Sequence, residues 1–328
     1  MEHKADWMYE KKWGIMVCYL ADYAGNSSPM ESYEEQWNKR INQFNVRNFV
    51  KQLSEIKCGW LIFTMGQNSG YYCSPNQTYD EIVERKISRL SKRDLIKDLA
   101  EELNSKDIKL ICYLPSHAPV LDTYAVEKLK CTPSWDGSMW GLKKGQYKIP
   151  EEIDERLTEF QKNWQAIIRE WSNRWGKLVS GWWFDGCYYA DKMYNHPDAP
   201  NFKSFAESAK SGNKDSIVAF NPGVKIPVIS FTEYEDYTAG EISHALPVFY
   251  RWLPLSRFIK NVQFHILTFL GDDWGRGNVR FSKELITGYT KHINSFGGAI
   301  TYDILPPDEN GNIPPPFLDI FKNINDTI

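Results

Sequence analysis

Short apolar runs of strand length recur along this chain, and most of them are followed by a stretch with helical spacing. Runs such as Leu61-Ile62-Phe63 are apolar without a break, which is typical of parallel strands that are buried on both faces. Eight runs fit a strand, at residues 14–20, 59–65, 108–114, 181–185, 216–220, 227–232, 263–270 and 298–302. This alternation predicts an α/β fold, a (β/α)8 TIM-like barrel in which residues 1–328 form a single domain.

Between these runs, apolar residues at helical spacing predict helices over residues 46–56, 93–103, 202–210, 282–294 and 317–324. Pro150 and the acids after it predict the start of a longer helix that ends at Trp175. The stretch from His117 to Lys148 is irregular, and a loop of that length is commonly functional. A doubly wound open sheet is the rival architecture, but no glycine-rich phosphate loop follows an early strand.

The balance of charges narrows the classes of partner. The formal net charge is −3 and no block of like charge occurs, which argues against nucleic acid or an anionic membrane. No apolar stretch reaches about 18 residues, so we expect no membrane span. The first residues lack the apolar core of a signal peptide. The sequence as it stands therefore predicts a cytoplasmic protein, or a periplasmic or secreted one if a signal peptide was removed, and the oligomeric state stays open.

Aromatic residues are abundant, with 13 Trp, 18 Tyr and 17 Phe. This content fits either a core of large side chains or a sugar-binding cleft, because the apolar faces of sugars pack on aromatic rings. The six cysteines form no Cys-x-x-Cys pair, and the histidines are not spaced as a metal set. We therefore expect reduced thiols, no metal and no cofactor.

Asp185 is the most informative acid, because it ends the apolar run 181–184 and is followed at once by Gly186. A charged carboxylate is too costly to bury unpaired, so Asp185 is expected at the rim of the barrel. Catalytic groups of barrel enzymes lie at the carboxyl ends of strands. The alternative interpretation is an aspartate that caps the following helix.

A second group of acids follows the sixth predicted strand and comprises Glu233, Glu235, Asp236 and Glu241. Two carboxyl groups from different strand ends are the minimum equipment for glycoside hydrolysis, in which one attacks or supports the anomeric carbon and the other protonates the leaving oxygen. The pattern alone leaves open which of these acids is the partner of Asp185.

Several segments, taken in order, resemble the retaining α-L-fucosidases of glycoside hydrolase family 29, whose catalytic domain is a β/α barrel. The matching segments are 7–17, 44–49, 58–64, 183–186, 236–241, 271–275 and 304–314. The resemblance implies that Asp185 is the nucleophile and that Glu241 is the acid/base. The resemblance covers the catalytic barrel only, whereas many members of the family continue into a β-sandwich.

The resemblance fails at positions where the family holds sugar hydroxyls. Cys18, next to Tyr19, stands where the family has a histidine, and Gln67 and Asn68 replace a His-His pair. Asn221 stands near a position where the family has an arginine. Amides can also bind sugar hydroxyls, so a sugar site is expected while its specificity for fucose stays open.

Further candidates lie in loops or at strand ends. Tyr71, His117, Trp140, Trp183 and Trp274 are candidate substrate-binding residues. Trp135, Tyr188, Tyr189 and Trp252 fit either sugar platforms or packing, and His265 fits a core residue.

The resemblance implies a retaining exo-glycosidase that hydrolyses a terminal α-L-fucoside in an oligosaccharide or glycoconjugate. The alternatives are the same chemistry on an α-L-galactoside or a modified deoxy sugar, and a non-catalytic carbohydrate-binding barrel.

Overall fold

The centre of the fold is a curled sheet of seven parallel strands in a computed structural model that describes residues 3–21, 32–248, 251 and 253–328. The strands are β1 (Trp13–Val17), β2 (Trp60–Thr64), β3 (Lys109–Pro115), β4 (Gly181–Asp185), β5 (Ile217–Phe220), β8 (His265–Phe269) and β9 (Ala299–Ile304). Their order is β5-β4-β3-β2-β1-β9-β8, and every neighbouring pair is parallel. Two short strands, β6 (Phe258–Ile259) and β7 (Val262–Gln263), form a separate antiparallel pair.

Helices connect and cover these strands. They are α1 (Asp6–Lys11), α2 (Tyr33–Gln43), α3 (Val46–Glu55), α4 (Gln77–Val83), α5 (Leu95–Asn104), α6 (Thr123–Lys128), α7 (Thr158–Trp175), α8 (Ala190–Met193), α9 (Phe202–Ala209), α10 (Lys283–Ser295) and α11 (Pro315–Thr327). Side-chain caps begin many of them, as Asp94 does for α5 and Ser282 for α10. Among the described residues, no helix is long and apolar enough to cross a membrane.

The two faces of the sheet build two apolar cores. Side chains alternate along a strand, so Ile15 and Leu61 face the helices while Met16 and Ile62 face the inside of the curl. The outer core is completed by amphipathic helices such as α3 and by the tryptophans of α7. The inner core is a packed cluster, as in β/α barrels generally, whose sites lie at the carboxyl ends of the strands.

Strands β5 and β8 are not paired with each other, and the gap is filled by residues 236–242, which we call the seam segment. On one side, the backbone N–H of Asp236 donates to Val218 of β5 at 2.8 Å. On the other side, the N–H of Ile242 donates to Leu267 of β8 at 2.9 Å, and Leu267 donates to Gly240 at 2.9 Å. The result is a half-barrel that resembles a TIM barrel but is not closed by a regular ladder.

Two sequence predictions are therefore wrong in detail. Residues 227–232 form no strand, because Ile229 is 39% exposed and the seam segment takes the position beside β5. The long helix begins at Thr158 rather than at Pro150, since the acids between them are exposed and the buried spacing begins only at Phe160. The other seven predicted strands are confirmed.

Candidate active site

Asp185 lies at the carboxyl end of β4, and three donors surround its carboxylate. The hydroxyl of Tyr113 donates to Oδ2 at 2.6 Å, while Asn221 Nδ2 and the backbone N–H of Gly186 each donate to Oδ1 at 2.8 Å. Such donors replace the water that a carboxylate loses on burial. Burial and the charge of Asp185 raise the pKa of Tyr113 well above its usual range, so its hydroxyl stays a donor.

Gly186 makes the turn behind Asp185 possible. Its φ is +75°, and a Cβ there would lie 2.6 Å from Cδ2 of His117. Trp140 stacks on His117 at 5.2 Å and donates from its indole N–H to the Gly186 carbonyl oxygen at 2.7 Å. These contacts fix the backbone that orients Asp185.

Glu241 lies in the seam segment, next to Leu267 of β8. Its Oε2 accepts a hydrogen bond from Asn221 Nδ2 at 2.5 Å. Burial, followed by the negative charge of Asp185, raises the pKa of Glu241 from 4.5 to about 7, although the hydrogen bond from Asn221 acts in the opposite direction. Glu241 is therefore protonated over most of the range below neutral pH.

Asn221 joins the two acids. It follows β5, is fully buried, and donates from one nitrogen to Asp185 and to Glu241. Because these bonds measure 2.8 and 2.5 Å, the two acceptor oxygens cannot lie more than about 5.3 Å apart. One protonated and one ionised carboxyl at this separation can protonate a leaving oxygen while attacking the adjacent carbon.

A cavity of about 300 Å³ opens above the two acids. Its lining residues are Met16, Cys18, Gln67, Tyr113, Trp183, Asp185, Glu241, Leu267, Asp273, Trp274 and Arg276. This volume lies at the small end of the range for ligand sites, and the lining mixes apolar rings with convergent polar groups. A larger cavity of about 700 Å³ lies beside the start of α7 and contains neither acid.

Polar contacts extend from Asp185 into the cavity wall. Gln67 Nε2 donates to the Tyr113 hydroxyl at 2.8 Å, and that hydroxyl donates in turn to Asp185. The ring of Tyr113 stacks on Trp183 at 5.2 Å with an interplanar angle of 16°. Gln67 and Trp183 are therefore placed by the same tyrosine that holds the carboxylate.

The loop 271–277 forms the opposite rim and contributes Asp273, Trp274 and Arg276. The backbone N–H of Gly275 donates to Oδ2 of the buried Asp303 at 2.5 Å, which anchors the loop to β9. Burial raises the pKa of Asp303 from 3.8 to about 8. Among the described residues, no three His, Cys, Asp or Glu side chains are grouped to hold a metal ion.

The structure brings together part of the predicted set. The cavity is lined by Asp185, Glu241, Cys18, Gln67, Trp183 and Trp274. Candidates that do not line it are Tyr19, Asn68, Tyr71, His117, Trp140 and Asn221, the last of which contacts the two acids instead. Tyr19 packs in the outer core against Phe63, and the Tyr71 hydroxyl donates to Glu34 at 3.1 Å. Trp252 lies outside the described residues.

The sequence prediction missed Tyr113, Asp273, Arg276 and Asp303. Tyr113 lies inside an apolar run, where a tyrosine looks like a core residue. It lies two residues before Pro115, on the same face of β3, and Pro115 is the register partner of Asp185. That position near the carboxyl end of the strand is the signal that points to the site.

Comparison with solved structures shows the same fold in carbohydrate-active enzymes. The endo-fucoidan hydrolase MfFcnA4 from glycoside hydrolase family 107 matches with a TM-score of 0.71 and 16% identity over 98% of this chain and 53% of that chain. The endo-fucoidan hydrolase P5AFcnA of the same family matches with a TM-score of 0.69 and 15% identity over 99% of this chain and 93% of that chain.

An α-L-fucosidase, a variant of AlfC in complex with 4-nitrophenyl-α-L-fucopyranoside, matches with a TM-score of 0.62 and 15% identity over 98% of this chain and 97% of that chain. No protein-family model and no curated protein matches the sequence. The chain spans about half the length of MfFcnA4, and identities this low establish the fold alone. The fold implied by the resemblance to α-L-fucosidases is thus shared with endo-acting fucoidan hydrolases.

Proposed function

We propose that this chain is a retaining exo-glycosidase of α-L-fucosidase type, which hydrolyses a terminal α-L-fucoside or a related sugar. The observation that carries the proposal is the pair of acids that share Asn221. The two oxygens that accept from Asn221 lie within about 5.3 Å of each other, which is compatible with the separation of about 5–5.5 Å between the carboxyl groups of retaining enzymes.

Asp185 is the nucleophile in this proposal, and Glu241 is the acid/base. An oxygen of Asp185 attacks the anomeric carbon while the bond to the leaving oxygen breaks, and the proton of Glu241 passes to that oxygen. Glu241 then takes a proton from water, whose oxygen attacks the anomeric carbon and releases Asp185. The raised pKa of Glu241 supports this assignment, because the first step needs a protonated acid.

The cavity wall supports a sugar as the substrate. Trp183 and Trp274 offer apolar rings, while Gln67, Asp273 and Arg276 offer donors and acceptors for hydroxyl groups. The family 107 and fucosidase neighbours act on fucose-containing substrates, which favours fucose as the glycon. An α-L-galactoside or a modified deoxy sugar stays the alternative, since Gln67 stands where fucosidases have histidine.

Endo-hydrolysis of a fucose-containing polysaccharide is the second candidate. The likeness to P5AFcnA favours it, because that neighbour matches with a TM-score of 0.69, against 0.62 for the α-L-fucosidase AlfC. The two activities differ in their products. An exo-enzyme releases free fucose from 4-nitrophenyl-α-L-fucopyranoside and from oligosaccharide ends, whereas an endo-enzyme cuts fucoidan into oligosaccharides and leaves the aryl fucoside intact.

The nucleophile is tested with a 2-deoxy-2-fluoro-α-L-fucosyl donor that carries a good leaving group. We expect the intact protein to gain the mass of one fluorosugar, and peptide mapping to place it on Asp185. Asp185→Asn should not be labelled, whereas the control Asp191→Asn, at an exposed position on α8, should be labelled normally. Sugar binding by calorimetry without labelling or turnover would favour a non-catalytic binding barrel instead.

A further inference from the structure

We propose that Asn221 is a positioning residue that supports negative charge on whichever of Asp185 and Glu241 carries it during the reaction. The inference deepens the proposed function and rests on it for the order of the two steps. It rests on the geometry of one buried side chain that hydrogen-bonds to both acids.

The orientation of the Asn221 amide is fixed by its other end. Its Oδ1 accepts a hydrogen bond from the backbone N–H of Gly223 at 3.1 Å. A backbone N–H can only donate, so the amide oxygen must face Gly223 and the NH₂ group must face the acids. Gly223 adopts a φ of +82°, a conformation that favours glycine and brings its N–H back toward Asn221.

The NH₂ group has two hydrogens, and each is donated to one of the two carboxyl groups. One bond reaches Asp185 Oδ1 at 2.8 Å and the other reaches Glu241 Oε2 at 2.5 Å. An amide does not ionise in the working pH range, so both donors persist through the whole cycle. Tyr113 differs, because its hydroxyl bonds to Asp185 and not to Glu241.

During the proposed reaction, the negative charge that these two N–H groups contact moves from Asp185 to Glu241. Before the first step, Asp185 is ionised and Glu241 carries the proton. After it, Asp185 is bound to the sugar as a neutral ester, and Glu241 is a carboxylate. Asn221 therefore stabilises the anion before and after the proton moves, without any rearrangement of the protein.

Other groups also act on Glu241, and their effect must be separated from that of Asn221. The titratable and charged side chains around the cavity are Cys18, Tyr113, Asp185, Tyr188, Asp273 and Arg276. None of these side chains is replaced in Asn221→Ala, although Asp185 also loses the hydrogen bond from Asn221. A shift in the pKa of Glu241 in Asn221→Ala therefore reports the loss of the amide that donates to both acids.

The test measures this titration directly, and it does not need turnover. The whole protein is labelled with [δ-13C]glutamate, and the Glu241 carboxyl resonance is assigned by its absence in Glu241→Gln. We expect Asn221→Ala to raise the Glu241 midpoint by about one pKa unit. Asn221→Asp, which keeps the shape but replaces the donor with an acid, should raise it by more.

Asn213→Ala is the matched control. Asn213 lies before the other end of β5, where its Oδ1 also accepts from the backbone N–H two residues later and its Nδ2 donates to the Val179 carbonyl oxygen at 2.9 Å. This variant should leave the Glu241 midpoint unchanged. A midpoint that stays within about 0.3 units of the wild type in both Asn221 variants would overturn the proposal. So would loss of the fold in both variants, since Asn221 would then be needed for folding.

A second readout separates this inference from the proposed function. If the wild type cleaves a fucoside, the alkaline limb of its kcat/KM profile should move to higher pH in Asn221→Ala, with a loss of about 10- to 100-fold in kcat/KM at pH 6. An unmoved limb contradicts the inference. A wild type that cleaves no glycoside contradicts the proposed function, while the titration still decides whether Asn221 controls Glu241.

Discussion

Glu241→Gln tests the raised pKa of Glu241 through the free energy of unfolding, without any measurement of activity. In the native protein, burial and the charge of Asp185 raise the pKa of Glu241 from 4.5 to about 7. Each unit corresponds to about 1.4 kcal/mol, so ionising Glu241 costs the folded state about 3 kcal/mol. The carboxyl faces a cavity that water can enter, which lowers the expected cost to about 2 kcal/mol.

The sign follows from the two pKa values. The folded state binds the proton more tightly than the unfolded chain, so the stabilisation is complete below pH 4.5 and is lost as the pH rises through 7. Glutamine keeps a carbonyl oxygen for Asn221 and cannot ionise. We therefore expect the free energy of unfolding of Glu241→Gln, relative to the wild type, to rise by about 2 kcal/mol between pH 5 and pH 8.5.

Urea unfolding at these two pH values measures the difference. Glu233→Gln is the control, because Glu233 belongs to the same acidic stretch but is exposed, and this variant should not reproduce the change expected of Glu241→Gln. If the free energy of unfolding of Glu241→Gln differed from that of the wild type by the same amount at pH 5 and pH 8.5, the surroundings would not raise the pKa of Glu241. The assignment of Glu241 as a proton donor near neutral pH would then lose its physical basis.

Three further predictions concern the surroundings of the site. Tyr113→Phe removes the donor to Asp185 Oδ2. We expect kcat/KM on a reactive fucoside to fall by about 10- to 100-fold, while the midpoint of thermal unfolding changes little. An unchanged kcat/KM would contradict this role of Tyr113. Because burial raises the pKa of Asp303 to about 8, its stabilising contribution is lost as the pH rises through 8. In urea unfolding at pH 6, Asp303→Asn should therefore stay within about 1 kcal/mol of the wild type, and Asp303→Ala should lose about 2 kcal/mol. Gly240→Ala would place a Cβ 1.9 Å from the His265 carbonyl oxygen at a φ of +63°. Thermal unfolding should therefore show a loss of about 3 kcal/mol or more in the free energy of unfolding. Gly288→Ala is the control in α10, where the Cβ meets open space, and it should raise the free energy of unfolding by about 0.5–1 kcal/mol.

The sequence carries a strong signal for the parallel strands, because each is a short apolar run that is buried on both faces. It carries no comparable signal for the seam. In the seam segment, the carboxylate of Asp236 accepts from the backbone N–H of Val218 at 2.8 Å, and just before it Glu235 accepts from the N–H of Phe231 at 2.5 Å. Bonds between side chains and backbone have no period along the chain, so the run at residues 227–232 looked more like a strand than the segment that replaces it.

The helices show a similar division. The strongly amphipathic α3 was predictable from four buried residues at helical spacing. By contrast, α2 buries only Trp37 and Ile41, and its clearest signal is the capping box formed by Ser32 and Glu35. Short, polar helices of this kind depend on their caps and tertiary contacts, and apolar spacing alone does not reveal them.

The candidate site was predictable where a residue contradicts its surroundings. Asp185 was conspicuous because an acid follows three aromatic residues, whereas Asn221 was identified only through the resemblance, near the position of the family's arginine. Tyr113 agrees with its surroundings and was missed. The distance between the acids could not be predicted either, because it depends on how the seam segment sits between β5 and β8.

The seam also has a consequence for motion. Its contact with β8 is a run of backbone bonds, whereas its contact with β5 depends largely on Asp236, which is also paired with Lys210 at 2.6 Å. The sheet can open locally where the fewest bonds must break, and the amides of β5 that face the seam should therefore exchange with solvent sooner than those between β3 and β4. Such an opening, which must also break the bonds of Tyr237 with Trp182 and of Trp183 with Ala239, moves Glu241 away from Asn221 and leaves Asp185 on β4. The proposed acid/base and the proposed nucleophile therefore lie on parts of the sheet that can move relative to each other.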